Sequence, residues 1–425
     1  MIPPADRLFL GIDIGTSGVR TAIVDADGEP VSNAAVPMED RPLGDGVDAE
    51  AWWDAVAVCL HTQLALLDAP ERIAALAIDG TSGSLVLVDD AVRPVSPGLL
   101  YDRGGFDREA ERIAAHAPEG SIARGGGSAL ARALHLFDTT AGPARLCHQA
   151  DFAVARLLGR AGASDESNAL KTGYDAQDRR WPDWIVQTGL PVDFLPEVHP
   201  VGAVVGHVGE EARGRFGLAA GTAIVAGATD SVAAFLAAGN VAPGTAVTSL
   251  GTTLAIKVLA DRPVADLARG VYSHRVGEWW LPGGASNVGG GALLEHFPRA
   301  ELDAVSARID PNWLPQHLDT YPLPRPGERF PRNEPTLAPV LPPRGDEARF
   351  LFELLHAVAR TEREGYEALA SLGAPYPTRV LTAGGGARNP VWTAIRQRVL
   401  GVPVEALADA EASVGMALLA RTASG

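Results

Sequence analysis

Short apolar runs that end in small polar turns recur along this chain, and they predict most of its elements. Leu8 to Asp25 reads LFLGIDIGTSGVRTAIVD, two apolar strands joined by Gly15, Thr16, Ser17 and Gly18, with Asp13 inside the first strand. The glycines let the backbone turn tightly where amide donors converge, and Thr16 and Ser17 add hydroxyls. Such a hairpin suits an anion or a hydrated metal; it is equally the pattern of a plain hairpin with a polar turn. Asp48 to Leu67 carries apolar residues at helical spacing behind capping-type acids and predicts an amphipathic helix with Trp52 and Trp53 in the core. Arg72 to Asp90 predicts strand, turn and strand around a second Gly-Thr-Ser-Gly turn. Its Asp79, Thr81 and Ser82 fall at the end of a buried strand, where ligands collect in open α/β sheets.

The stretch from Tyr101 to Pro200 is less regular and reads as an insertion on the first domain, with a glycine-rich patch at Arg124 to Ser128 and a helix around Gln149 to Leu158; no chemistry is assigned to it. From Thr222 the pattern sharpens into a strand, a Gly-Ala-Thr-Asp turn and an Ala-rich helix ending at Gly239. Asp230 there is a helix N-cap or a general base projecting from the end of a strand. Ala246 to Leu259 repeats the opening hairpin, with Gly251 and Thr252 in the places of Gly15 and Thr16, which predicts two related domains facing each other across a cleft, each offering a turn to one phosphate chain. Gly283 to Phe297 reads as a glycine-rich turn running into a helix whose first amides are open to an anion, or as a capped helix. Pro-rich sequence from Tyr321 to Arg344 predicts an irregular surface excursion, followed by a long helix over Asp346 to Leu372. Arg379 to Leu407 predicts strand, Gly384 to Gly386, a helix capped by Asn389 with Pro390 behind it, and a strand after Gly401. Three glycines between strand and helix let backbone lie flat against a planar ring such as adenine. A last helix, Glu411 to Ala420, carries small Ala412, Gly415 and Ala417 for close packing.

Composition narrows the function. At 425 residues the chain exceeds one ordinary core and predicts two domains; 46% hydrophobic and 21% charged residues are those of a globular protein. A net charge of −16 argues against nucleic acid or an anionic membrane as partner, both of which need a basic face. Cys59 and Cys147 form no CxxC pair, no glycosylation sequon occurs, and MIPPADRLFL lacks the pattern of a signal peptide, so the cytoplasm is expected. The uncharged run from Ser231 to Ile256 is broken by Asn240, Pro243 and Gly244 and predicts helix, turn and strand, not a membrane span.

DIGTSGVR, DGTSG, GATDSVAAF, TSLGTT, GGASNVGG and AGGGARNPVW, in this order, resemble the FGGY carbohydrate kinases over nearly the whole chain. Within that family the chain is most similar to the short D-ribulose kinases, formerly grouped with xylulokinases. The resemblance implies an α/β fold of two actin-like (ribonuclease H-like) domains, 1–237 completed by helix 411–425, and 238–410. It implies an ATP-dependent kinase that phosphorylates a terminal hydroxyl of a ketopentose, D-ribulose to D-ribulose 5-phosphate. Asp13 would hold Mg²⁺ through water, Thr16 would meet the γ-phosphate, and Asp230 would be the base and a further metal contact. Asp13, Asp79, Ser82 and Asp230 would form the sugar pocket. Thr16, Ser17, Gly251, Thr252 and Thr253 would grip the nucleotide phosphates, with Gly384, Gly385 and Asn389 beside adenosine. Many xylulokinases carry a Gln-Met-His-Gly type turn where this chain has Asp79-Gly80-Thr81-Ser82-Gly83, a departure that disfavours D-xylulose. D-xylulose, another pentulose or a pentitol stays open as substrate, as do a non-catalytic nucleotide clamp and a sugar sensor that releases no ADP. A monomer and a homodimer fit equally.

Overall fold

The computed structural model describes residues 3–39, 41–239, 241–407 and 411–423. The expected domain limit at 410, the last two residues of the 411–425 helix and Asn240 lie outside the described residues. The chain forms two units, one of residues 1–239, 274–277 and 411–425, the other of residues 240–273 and 278–410.

The first unit is built on β1 (Leu8–Ile14), β2 (Gly18–Val24), β3 (Pro30–Pro37), β4 (Ile73–Gly80), β5 (Val204–His207) and β6 (Ala223–Thr229), in the sheet order β5-β6-β4-β1-β2-β3. β1 is buried along its whole length because it lies centrally, with antiparallel β2 on one side and parallel β4 on the other. Helix α1 (Glu50–Leu64) buries Trp52 and Trp53 in this core; its N-cap is Ala49, and Asp48, one residue earlier, accepts from the Glu50 amide at 3.0 Å. Helix α2 (Gln149–Leu158) closes with Gly159 in the left-handed conformation. The helix Ala412–Thr422 returns from the far end of the sequence to pack on β1 and on α3 (Asp230–Leu236). Glycine makes this packing possible: a Cβ on Gly11 would lie 1.9 Å from the Ser413 carbonyl oxygen, and one on Gly415 would lie 2.0 Å from that of Ala233.

The second unit is built on β7 (Thr245–Leu250), β8 (Leu254–Val258), the start of β9 (Tyr272–Val276), of which only Tyr272 and Ser273 belong to it, β10 (Trp279–Ser286), β11 (Arg379–Ala383) and β12 (Val404–Ala406), with the sheet order β10-β8-β7-β11-β12. Its β10-β8-β7-β11-β12 repeats β3-β2-β1-β4-β6: three antiparallel strands beginning with a hairpin, then two parallel ones. The duplicated hairpin is therefore the visible end of a duplicated sheet. Helices α4 (Glu347–Ser371, capped by Asp346) and α5 (Pro390–Leu400, capped by Asn389) pack with it.

The strand, turn and strand expected around the second Gly-Thr-Ser-Gly turn form, but the two strands do not pair with each other: β4 stays in the large sheet, while Leu85–Val88 leaves it to pair with Arg145–His148 over a separate core that includes Leu130, Leu134 and Phe194. Two expectations change. Gly283 and Gly284 lie in strand β10 opposite Lys257 and Ile256, and the helix beyond, Gly290–Leu294, is one short turn. The Pro-rich stretch is irregular and its 332–336 run is exposed, as expected, but it is pinned to the core at several points. Phe330, Tyr321 and Leu323 are buried in the core of the second unit, and the Glu328 carboxylate accepts from Ser286 Oγ (2.6 Å), Tyr321 Oη (2.8 Å) and the Asn287 amide (2.8 Å).

Candidate active site

In the first unit the carboxylates gather at the C-terminal ends of β1, β4 and β6. Asp13 and Asp79 are register partners on adjacent parallel strands, and Ala228 and Thr229, just before Asp230, pair with Asp79 and Gly80. Asp13 is 7% exposed and its Oδ2 lies 3.3 Å from Arg20 Nη1, across the hairpin. Burial lifts the Asp13 carboxyl above its ordinary range, against the pull of Arg20 and of the neighbouring Asp79. Asp79 is wholly buried. Its carboxyl is pushed well above the usual range, first by burial, then by the charges of Asp13 and Asp230. Among the described residues neither oxygen of Asp79 has a partner of conventional hydrogen-bond geometry, nor does the buried Ser82 hydroxyl.

Their neighbours in the turn are satisfied. Gln149 Oε1 accepts from the Thr81 amide (2.9 Å) and hydroxyl (2.7 Å), and Thr81 Oγ1 meets Ser84 Oγ at 2.6 Å. Gly83, at φ +91°, holds the left-handed position, and its carbonyl accepts from Arg132. Arg132 is buried, its pKa pushed down to about 10 by that burial, and it also donates to the Arg103 and Gly127 carbonyls, binding three loops into one floor. Buried polar atoms without partners are rare in folded proteins. Three of those among the described residues fall together on Asp79 and Ser82, the pair expected to face the sugar.

Asp230 is not the N-cap of its helix. Thr229 takes that position and Asp230 is the first helical residue, its Oδ1 accepting from the Ser231 amide at 2.6 Å. Its position is set from the 101–200 region, to which the sequence assigned no chemistry. Asp165 accepts from the Ser167 and Asn168 amides, each at 2.8 Å, and from Asn168 Nδ2 at 2.7 Å. The ordered turn then reaches across: Ser167 Oγ accepts from the Thr229 amide (3.1 Å), and Asn168 Nδ2 donates to the Ala228 carbonyl (3.2 Å). Asp165 is itself pushed up to about 6, by burial and then by Asp151. No local pattern marks these residues; their partners lie some sixty positions away along the chain.

The tips of both hairpins, Thr16 and Ser17 in the first unit and Gly251, Thr252 and Thr253 in the second, are exposed. A cavity of about 270 Å³ in the second unit is lined by Gly251, Thr252, Gly385 and Asn389, but not by Thr253 or Gly384. Leu293, Leu302, Leu355 and Trp392 give it apolar walls, and Arg299 and Arg388, which sequence reasoning did not single out, add positive charge. The three glycines differ in purpose. A Cβ on Gly384, at φ +86°, would meet the Leu250 carbonyl oxygen at 2.9 Å, and one on Gly386 the Leu250 side chain at 2.5 Å, whereas Gly385 faces open space. Packing accounts for the outer two; only the middle one leaves room for a ligand. The Asn389 side chain is occupied, with Oδ1 capping α5 through the Trp392 amide (3.0 Å) and Nδ2 donating to Ser306 Oγ (2.8 Å). The amides of Gly290 and Gly291, expected to be open to an anion, donate instead to the carbonyls of Gly251 (2.8 Å) and Thr252 (3.0 Å) and so brace the second hairpin from behind.

Among the described residues no three His, Cys, Asp or Glu side chains are placed to hold a metal ion directly. Magnesium keeps most of its waters and takes one or two carboxylates besides phosphate oxygens. Asp13, buried near the end of β1 and with Arg20 as the side-chain donor to its Oδ2, fits that requirement. Among the described residues no helix is long and apolar enough to cross a membrane.

Residues 246–424 match the profile of the FGGY family of carbohydrate kinases, C-terminal domain. Xylulose kinase of Escherichia coli (strain K12) is 25% identical over 98% of this chain and 90% of its own length. Xylulose kinase of Streptomyces rubiginosus is 30% identical over 64% of this chain and 59% of its own. The crystal structure of xylulose kinase from Rhodospirillum rubrum superposes with a TM-score of 0.82 at 24% identity, covering 99% of this chain and 90% of that one, which is a likeness of fold.

Proposed function

The chain belongs to the FGGY family of carbohydrate kinases and is an ATP-dependent carbohydrate kinase of xylulokinase-like type, and from that premise we propose that it phosphorylates a terminal hydroxyl of a ketopentose, D-ribulose to D-ribulose 5-phosphate. The convergence of Asp13, Asp79 and Asp230 at the ends of three neighbouring strands carries the reading. Asp230 takes the proton of the attacking hydroxyl, and it stands where strand β6 and the Asp165-capped turn fix its backbone. Asp79 and Ser82 offer their unpartnered oxygens to the other sugar hydroxyls. Asp13 would hold Mg²⁺ through water, with Asp230 as a further contact; the ion, when bound, offsets charge on the transferred phosphoryl group. Thr16 and Ser17 meet the phosphates from the first hairpin and Gly251, Thr252 and Thr253 from the second. Adenosine occupies the cavity beside Gly384, Gly385 and Asn389, with the open face of Gly385 against the ring. Phosphoryl transfer through a loose transition state asks mainly for positioning and charge neutralisation, which amide-rich turns and carboxylates supply.

Asp79 within Asp-Gly-Thr-Ser-Gly supports ribulose over xylulose, because a buried acceptor reads hydroxyl stereochemistry differently from an amide or imidazole. The names of the relatives favour D-xylulose as the second reading. ADP release measured over D-ribulose, D-xylulose, other ketopentoses, pentitols and no sugar decides between them. The expected result is turnover with D-ribulose above D-xylulose, lost in Asp230→Ala. Higher turnover with D-xylulose moves the assignment to the second reading; sugar binding without ADP release makes the protein a sensor. We place the reaction in the cytoplasm.

A further inference from the structure

The helices α4 and α5 that line the nucleotide cavity through Leu355 and Trp392 also line a second cavity of about 270 Å³, to which they contribute His356, Arg360, Arg363 and Arg398. Among the described residues that line it there is no carboxylate. Three guanidinium groups around one hollow are unexpected in a chain of net charge −16, since like charges held together raise the energy of the folded state unless something offsets them. Nearby acids offset them only in part. Arg363 Nε donates to Glu367 at 2.8 Å on the exposed side of α4, and Glu364 stands 3.8 Å from Arg360 Nε, which is buried and has no hydrogen-bond acceptor among the described residues.

Two of the arginines are rigidly held. Arg360 Nη2 donates to the Thr320 carbonyl (2.6 Å), and Arg398 Nη1 to those of Pro311 (3.0 Å) and Trp313 (3.3 Å), so both forks are oriented before any ligand arrives. His356, which lines the same hollow, is pushed below its ordinary pKa by burial, then by the charge of Arg360, against the pull of the Glu353 carboxylate one turn earlier in α4, and further by Arg398. Fixed guanidinium forks without a carboxylate among them are the arrangement that recognises phosphate bidentately.

We propose that this cavity, walled by His356, Arg360, Arg363 and Arg398, is a binding site for a phosphate group, separate from the catalytic site and borne either by free phosphate or by a phosphorylated small metabolite. The inference is independent of which sugar the enzyme phosphorylates.

The test is calorimetric titration of inorganic phosphate into the full chain, with ionic strength held by chloride and the nucleotide site saturated by a non-hydrolysable ATP analogue. Saturable binding is expected, weakened about tenfold in Arg363→Gln, as for the loss of one charge-assisted hydrogen bond, and abolished in Arg363→Glu. Both changes fall at a half-exposed side chain and leave affinity for the ATP analogue unchanged. The imidazole of His356, followed by NMR, should titrate at higher pH once phosphate is bound, because an anion among the arginines favours its protonated form. A ketopentose 5-phosphate that binds more tightly than phosphate identifies the metabolite as the source; equal binding identifies free phosphate. No binding above that of chloride, or binding unaltered in both Arg363 variants, overturns the proposal.

Discussion

The two hairpins share a plan and differ in what stands behind them. In the first unit Asp13 faces Asp79 across the β1–β4 ladder; at the matching place in the second, Ser249 faces Ala383 across β7–β11. One residue earlier, where the first unit has Ile12 beside Ile78, the second has Thr248 beside Thr382. Those threonines belong to a buried network in which Arg396 forks onto Glu362 with two 2.7 Å bonds, donates to Thr382 Oγ1 at 2.7 Å, and Thr248 meets Tyr366 Oη at 2.8 Å. The second sheet buries a charge and satisfies it completely. The first buries an acid and leaves it without donors. A satisfied network holds a scaffold; an unsatisfied one stands ready for a ligand.

The contrast breaks most visibly at the proposed base. Asp230→Asn should lower kcat by about 10²- to 10⁴-fold with nucleotide affinity nearly unchanged; a drop of less than tenfold in steady-state turnover would remove Asp230 from the chemistry. Next comes the satisfied side. Arg396→Met strands Glu362 in the core and should cost about 3–5 kcal/mol in denaturant unfolding, while replacing both partners by apolar residues should cost much less. Equal losses in the single and double variants would show that the pair is not coupled.

Asp79→Asn should do the opposite and stabilise the fold, by about 1–3 kcal/mol, while raising the KM for sugar. The Asp79 carboxyl has a folded-state pKa above its unfolded one, so its contribution is complete below the unfolded value and is lost as pH rises through the folded value. Asparagine does not ionise. The gain should therefore widen with increasing pH in metal-free buffer; melting curves that keep the same separation from pH 5 to 9 would contradict this. The smallest effects separate the glycines. Gly386→Ala drives a Cβ into Leu250 and should cost about 1–3 kcal/mol, whereas Gly385→Ala should change stability by less than about 0.5 kcal/mol and act instead on ATP affinity. If both variants lose only stability, adenosine does not lie against Gly385.

The parts of the site that are legible in sequence are those written in short-range signals. Both hairpins, the acids at strand ends and the Asn389-Pro390 helix start are set by neighbours within a few positions, and each appears where its pattern predicts. Long-range partnerships leave no such trace. Asp165 and Asn168 read as unremarkable polar residues until folding brings Ala228 and Thr229 beside them. Arg132 reads as one more helical arginine until three loops converge on it. The glycines after Asn287 carry a genuine signal, since they allow close approach, but what approaches is the second hairpin's own backbone and not an anion. Proline-rich sequence misled only in part, and for the same reason: the register that buries Phe330 comes from the Glu328 anchor and not from any periodicity.

The return of Ala412–Thr422 onto β1 has a consequence for how the protein is made. The helix that covers β1 begins at Ala412, 398 positions after β1 ends at Ile14, so at elongation rates of about 5–20 residues per second the acid-bearing sheet waits on the order of tens of seconds with one side bare. The strands of the second unit that flank its hairpin, β10 and β11, lie within one continuous span of the chain from 278 onward, so its core asks for no segment as far removed.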